Sequence, residues 1–195
     1  MKKAKEYLIP TLVLFIICFI SALLLAITND VTAPKIAENA IKTQQEAMAF
    51  VVPDADHFDE ESTENEYGTY YKAYDANGNV IGYAITAIGK GGYDGDITLM
   101  VGLDANGAVK ELESGNAALS FLEESETPSV GGKLKKKVEF LSQYIGLAGS
   151  AALTKNGGTV DAVTGATKTS QGITDAVNNA LLCYSQISKE VSANG

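Results

Sequence analysis

Residues 8–28 read "LIPTLVLFIICFISALLLAIT", without one charged position. A helix of that length rises about 30 Å, the hydrocarbon thickness of a bilayer. Pro10 falls in the first turn, where a missing N–H costs little. Lys2, Lys3 and Lys5 precede the run and Asp30 follows it. The basic end therefore belongs in the cytoplasm, and residues 31–195 on the outer face. A cleaved signal peptide begins in the same way, but this apolar run exceeds the usual signal core. Its best small-x-small site, Val31-Thr32-Ala33, is followed by Pro34, a poor residue for cleavage. A lipoprotein site at Cys18 is disfavoured by bulky Ile17 before it and apolar residues beyond. The pattern predicts a retained anchor.

Past the anchor the periodicity changes. Ile36, Ala40, Ala47 and Val51 recur among polar residues, which predicts a helix from Pro34 to Val52 stopped by Pro53. The acidic stretch 54–66 reads as a solvated loop. Two related segments follow, "YKAYDANGNVIGYAI" at 71–85 and "LMVGLDANGAVKELE" at 99–113. Asn-Gly between apolar flanks predicts a hairpin in each, because these residues accept a positive φ. Asp75-x-Asn77-Gly78 shares the start of a calcium loop but lacks the remaining ligand spacing, so it reads as a turn. "GKGGYDGD", 89–96, joins the two hairpins; its glycines admit a ligand or simply make a turn, and the residues leave both readings open. Leu134, Val138, Leu141 and Ile145 form one helical stripe. Lys133, Lys135, Lys136 and Lys137 beside it read as a solvated face, with docking to an acidic partner as the alternative. Ile173, Ala176, Val177, Ala180, Leu181, Tyr184 and Ile187 predict a packed amphipathic helix over 171–188, with Cys183 a structural thiol. The sum is an α+β domain behind one transmembrane helix. Its divisions are a cytoplasmic N-terminus 1–7, the transmembrane helix 8–28, a helical connector and acidic loop 29–66, and the main domain 67–195.

Composition narrows the chemistry. The formal net charge is −9 and the chain has no Arg. That argues against nucleic acid, whose phosphates demand clustered Lys and Arg. It also removes the bidentate clamp usual for phosphate ligands. Cys18 and Cys183 stand at opposite ends, no C-x-x-C pair exists, and the lone His57 lies in the acidic stretch. These predict no metal site and no redox thiol pair.

"DAVTGATKTS", 161–170, is the most specific stretch. A helix starting near Ser170 would aim its unpaired amides and positive dipole end at whatever precedes it. A phosphate near Thr164–Thr167 would be favoured there even without Arg. Gly165 and Ala166 keep side chains out of the way, and Thr167 supplies a hydroxyl. A helix start capped by Thr or Ser reads equally well from these residues alone.

Asp161-Ala162-Val163-Thr164-Gly165-Ala166-Thr167 resembles the flavinylation motif, Asp-x-x-Ser/Thr-Gly-Ala-Thr, of the FMN-binding domain family. The resemblance implies FMN joined covalently, through its phosphate, to Thr167, with Thr164, Gly165 and Ala166 around the cofactor. It implies that a flavin transferase of the ApbE type, using FAD and magnesium, reads Asp161 and Gly165. "SETPSVGGKL", 125–134, is similar to the family's Glu-Thr-Pro-Gly-Leu-Gly loop, which lies against the flavin. Glu126, Thr127, Pro128 and Gly131 match it, while Ser129 and Val130 stand in place of Gly and Leu. By resemblance Glu126, Thr127, Val130 and Gly131 join the cofactor-binding set, with no catalytic residue and no metal. Residues 89–107 also look like the family's Gly-Tyr-x-Gly approach to a strand, whereas 114–124 is a longer crossing than the family usually has.

Length favours, within that family, the G-type members of Rnf complexes, the ion-translocating ferredoxin:NAD⁺ oxidoreductases. The implied fold is a single extracytoplasmic α+β domain of antiparallel hairpins and packed helices. The implied role is electron transfer among the other membrane subunits of a redox-driven ion translocase, with no substrate turned over by this chain alone. The alternatives are a C-type subunit of the sodium-pumping NADH:quinone reductase, a stand-alone extracellular flavoprotein, or a non-redox membrane-anchored scaffold. The implied location is the cell membrane, single-pass, with the N-terminus cytoplasmic.

Overall fold

The computed structural model describes residues 2–59, 62–93, 95–124, 134 and 137–194. The chain divides into two compact units, Met1–Thr43 and Gln44–Gly195.

The first unit belongs to helix α1 (Lys2–Val51). Leu12, Leu14, Phe15, Leu24 and Leu25 are all exposed. Among the described residues α1 is the one helix long and apolar enough to cross a membrane, with a mean hydropathy of 2.8 over its most apolar window. The sequence pattern implies a break before a second helix at Pro34, yet Pro34 lies inside α1. Proline there removes one backbone bond and crowds the carbonyl one turn back, a local cost the helix absorbs without ending. Polar side chains nearby close back onto the helix, Thr28 Oγ1 to the Leu24 carbonyl (2.8 Å) and Thr32 Oγ1 to the Thr28 carbonyl (2.9 Å).

The second unit is built on an antiparallel sheet of six strands: β1 (His57–Phe58), β2 (Thr63–Asn65), β3 (Gly68–Tyr74), β4 (Val80–Gly89), β5 (Ile97–Asp104) and β6 (Leu119–Glu124). Their order is β1-β3-β4-β5-β6, with β2 also pairing β3. Successive side chains on a strand face opposite ways, and β5 uses both faces. Ile97, Leu99, Val101 and Leu103 enter one core with helix α3 (Thr167–Asn194), through Ile173, Val177 and Leu181. Met100 enters the opposite core with Ala47, Met48 and Val51 from the end of α1. Each such aliphatic side chain contributes about 1.5–3 kcal/mol by leaving water. The α+β class follows directly.

Four local expectations change. The acidic stretch 54–66 is not only loop, since β1 and β2 pair with β3. Edge pairing uses backbone groups, and Asp59 serves it by accepting the Tyr74 hydroxyl at 2.9 Å and the Lys72 amide at 3.3 Å. Residues 114–124 carry β6, which closes the sheet beside β5. The second Asn-Gly turn reverses the chain only as far as an isolated bridge, Leu103 to Val109, before a further reversal leads into β6. The stripe predicted over 134–145 is a single α-turn, α2 (Val138–Leu141), followed by a 3-10 turn, Ser142–Tyr144. One turn is too short to sustain a period, so Val138 is exposed while Phe140, Leu141 and Tyr144 are buried. Phe140 and Tyr144 meet edge to face at 5.5 Å.

Candidate functional site

Helix α3 begins at Thr167, four residues earlier than its apolar stripe suggests. Its first bond runs from the Ser170 amide to the Ala166 carbonyl at 2.9 Å. Ala166 is therefore the capping residue, and it has no side-chain oxygen to offer the leading amides. Its methyl is buried instead. Thr167 stands exposed as the first residue of a 28-residue helix, at the positive end of the dipole.

The preceding turn places it there. Gly165 has φ +82°, which side chains other than glycine's rarely adopt, and a Cβ on it would meet nothing within 4 Å. The Ala166 amide donates to the Val163 carbonyl at 3.0 Å. Thr164 and Asp161 are exposed, while Ala162 and Val163 pack against the core.

Side chains outside the motif secure this backbone. The Val163 amide donates to Ser170 Oγ at 3.0 Å, and Ser170 Oγ donates to the Ala166 carbonyl at 2.9 Å. Asp161 is matched on both sides by Gln143: its amide donates to Gln143 Oε1 (2.7 Å), and Gln143 Nε2 donates to its carbonyl (3.3 Å). Beneath Ser170, Thr174 Oγ1 donates to the Ser170 carbonyl at 2.7 Å and lies 2.8 Å from the Tyr144 hydroxyl. Thr174's proton is committed, so Tyr144 is the donor of that pair. Burial holds the Tyr144 hydroxyl far above its ordinary pKa, so it remains protonated.

The glycines of 89–96 seat the helix. A Cβ on Gly89 would strike the Gly172 carbonyl and the Ala176 amide, so helix and strand touch backbone to backbone. A Cβ on Gly172 would press on Ile97 Cδ1 (3.0 Å) and the Gly92 amide (3.3 Å). Asn179 Nδ2 ties the same helix to the Ile88 carbonyl at 2.9 Å. Close approach of backbones is thus one use of this glycine run.

Glu126, Thr127, Val130 and Gly131 lie outside the described residues. The residues on either side of that loop, Glu124 and Leu134, are described. Glu124 stands in register with Ile97, whose side chain borders Gly172. Buried Leu134 accepts the Lys137 amide at 3.0 Å, and the segment it opens carries Gln143 to Asp161.

Gln143, Ser170, Thr174 and Tyr144 join the site only in the folded chain. Ser170 and Thr174 do leave a trace in the sequence: they continue the spacing of Val177 and Leu181 toward the N-terminus, as small polar residues on a buried stripe. Nothing local announces Gln143.

An exposed hydroxyl on the first residue of a long helix and open space at Gly165 suit a phosphate ester. The comparisons with known proteins bear on the family. Residues 92–182 match the FMN-binding domain, and residues 1–51 match the RnfG N-terminal region. The fold and site thus define a flavoprotein module of the FMN-binding domain class behind an apolar helix. The RnfG-type component of the ion-translocating oxidoreductase complex of Methanosarcina acetivorans is 31% identical, over 93% of this chain and 96% of that protein. Its counterpart in the Na(+)-translocating ferredoxin:NAD(+) oxidoreductase complex of Acetobacterium woodii is 30% identical over 91% of each. The equivalent component of the proton-translocating ferredoxin:NAD(+) oxidoreductase complex of Clostridium ljungdahlii is 30% identical over 86% of each. The chain belongs to this family, the RnfG subunits of ion-translocating oxidoreductase complexes.

Proposed function

We propose that this chain is the electron-transfer subunit of an Rnf-type ferredoxin:NAD⁺ oxidoreductase, carrying FMN esterified through its phosphate to Thr167 Oγ1. The observation that carries the reading is the placement of Thr167 within its motif: an exposed hydroxyl leading a long helix whose capping residue, Ala166, has no side-chain oxygen. Bound flavin supplies one- and two-electron chemistry; the chain's own part is to hold it and shape its surroundings. Helix-end amides around Thr167 favour the phosphate's negative charge in a chain without Arg. Thr164, Gly165 and Ala166 leave room beside it, and the family resemblance adds Glu126, Thr127, Val130 and Gly131 to the cofactor-binding set. Covalent attachment makes rebinding intramolecular, so the domain can keep a flavin edge accessible to partners without losing the cofactor.

Asp161 and Gly165 are the features read by a flavin transferase of the ApbE type, which forms the new P–O bond as AMP leaves FAD. The apolar part of α1 anchors the chain in the cell membrane in a single pass, with Lys2, Lys3 and Lys5 on the cytoplasmic side and the flavin domain outside. The working partners are the other membrane subunits of a redox-driven ion translocase, and this chain alone turns over no substrate.

Mass spectrometry of the tryptic peptide 156–168 tests the reading. Material made with the transferase should gain the mass of FMN less one water, and its gel band should fluoresce under ultraviolet light. Thr167→Ala should abolish both while leaving thermal unfolding within about 0.5 kcal/mol of wild type, since an exposed hydroxyl is all that is lost. An unmodified wild-type peptide from cells containing the transferase would remove the assignment.

A further inference from the structure

The flavinylation motif is tied down by residues that are not part of it. Ser170 uses both capacities of its hydroxyl, accepting the Val163 amide and donating to the Ala166 carbonyl, and so bridges the turn from inside the helix that Thr167 begins. Ser170 is fully buried, and its carbonyl is held in turn by Thr174. At the other end, Gln143 grips Asp161 through both its amide and its carbonyl. Asp161, Val163 and Ala166 are thus each bonded to a side chain fixed in the folded domain. Reversing the chain needs none of this, because the Ala166–Val163 backbone bond and Gly165 already make the turn.

A tether sets how far a cofactor can travel, but not which way it points. Orientation depends on the rigidity of the tether's root. We infer that Ser170 and Gln143 are positioning residues that immobilise the root of the FMN tether, holding the flavin against the domain instead of letting it swing on Thr167. The inference rests on the reading of Thr167 as the attachment point.

The test is time-resolved fluorescence anisotropy of the flavin on the full-length, flavinylated chain in detergent. Wild type should depolarise mainly with the tumbling of the whole particle. Ser170→Ala, with FMN still attached by mass, should show about a twofold larger amplitude of nanosecond depolarisation. Asn178→Ala serves as the control: it removes a bond of the same type, from the Ala151 amide at 3.0 Å, away from the motif, and should match wild type. Wild-type anisotropy in labelled Ser170→Ala sinks the inference and leaves the Thr167 assignment intact. An equal rise in Asn178→Ala also sinks it, by showing general loosening. A folded but unlabelled Ser170→Ala overturns it too, since the hydroxyl would then act at attachment. If Ser170→Ala does not accumulate, Gln143→Ala decides by the same criteria. A wild-type chain without FMN fails the attachment reading itself.

Discussion

Two glycine turns in this domain share a backbone conformation and differ in how they are held. Gly78, φ +79°, closes the β3–β4 hairpin, and Gly165, φ +82°, leads into α3; a Cβ on either would meet no atom within 4 Å. The hairpin turn is self-sufficient. Asp75 Oδ1 accepts the amides of Asn77 (2.9 Å) and Asn79 (2.8 Å), and the Asp75 carbonyl accepts the Gly78 amide (3.0 Å). Its anchors all lie within four residues of Asp75. The turn before α3 has one internal bond and depends otherwise on Ser170, from the helix, and on Gln143, 18 residues upstream of Asp161. Its capping residue, Ala166, has no side-chain oxygen of its own. A turn that merely connects satisfies its own polar groups, whereas one that presents a residue is braced from outside.

The largest expected effect comes from moving the helix on which the second turn depends. Gly89→Ala drives a methyl into the Gly172 carbonyl and the Ala176 amide, neither of which can rotate away. It should cost about 3 kcal/mol, the upper range for overpacking, and flavin incorporation at Thr167 should fall with it. In whatever protein remains folded, the 75–79 hairpin should keep its native amide spectrum, because none of its bonds reaches α3. Loss of both turns together in a folded variant would erase the distinction between them.

The same contrast explains what can be read from the chain. Features held by nearby residues are legible: the apolar span, the Asn-Gly hairpin at 77–78, and the stripe from Ile173 to Ile187. Features held from a distance are not. β1 and β2 pair through backbone groups, and an acidic sequence gives no sign of that. The start of α3 is displaced from its expected place because Ala166 carries no capping signal while Thr169 and Ser170 look like caps, yet both are buried within the helix. The motif itself yields a cofactor only through family resemblance, since two small residues and a hydroxyl before a helix fit an ordinary connection equally well.

A matched pair of substitutions sharpens the comparison at smaller cost. Gly165→Ala and Gly78→Ala meet open space at nearly the same φ, so each should lose about 1 kcal/mol to left-handed strain. Their stabilities should therefore agree while their flavin contents differ. Gly165→Ala places a methyl beside the acceptor and alters a residue the transferase is proposed to read, so its FMN content should drop severalfold. Gly78→Ala should label like wild type. Equal loss of flavin in both would mean that labelling follows stability alone.

The smallest effect is a response to acid confined to one turn. The Asn79 side chain, then the Asn79 and Asn77 amides, hold the Asp75 carboxyl below its ordinary pKa of 3.8. Its folded value is lower than its unfolded one, so the stabilisation is fully present above the unfolded pKa and fades as pH falls through the folded one. Asp75 lies on a surface turn open to solvent, which keeps the effect small. The bonds bracing 161–167 involve a hydroxyl, a carboxamide and backbone groups, none of which gains or loses a proton in that range. Lowering the pH of Thr167→Ala protein should therefore shift the Asn77 and Asn79 amide resonances with a midpoint below 3.8, while the Val163 amide keeps its exchange protection. If Val163 opens first, the external bracing is the weaker of the two designs, and the turn that presents Thr167 is looser than its hydrogen bonds imply.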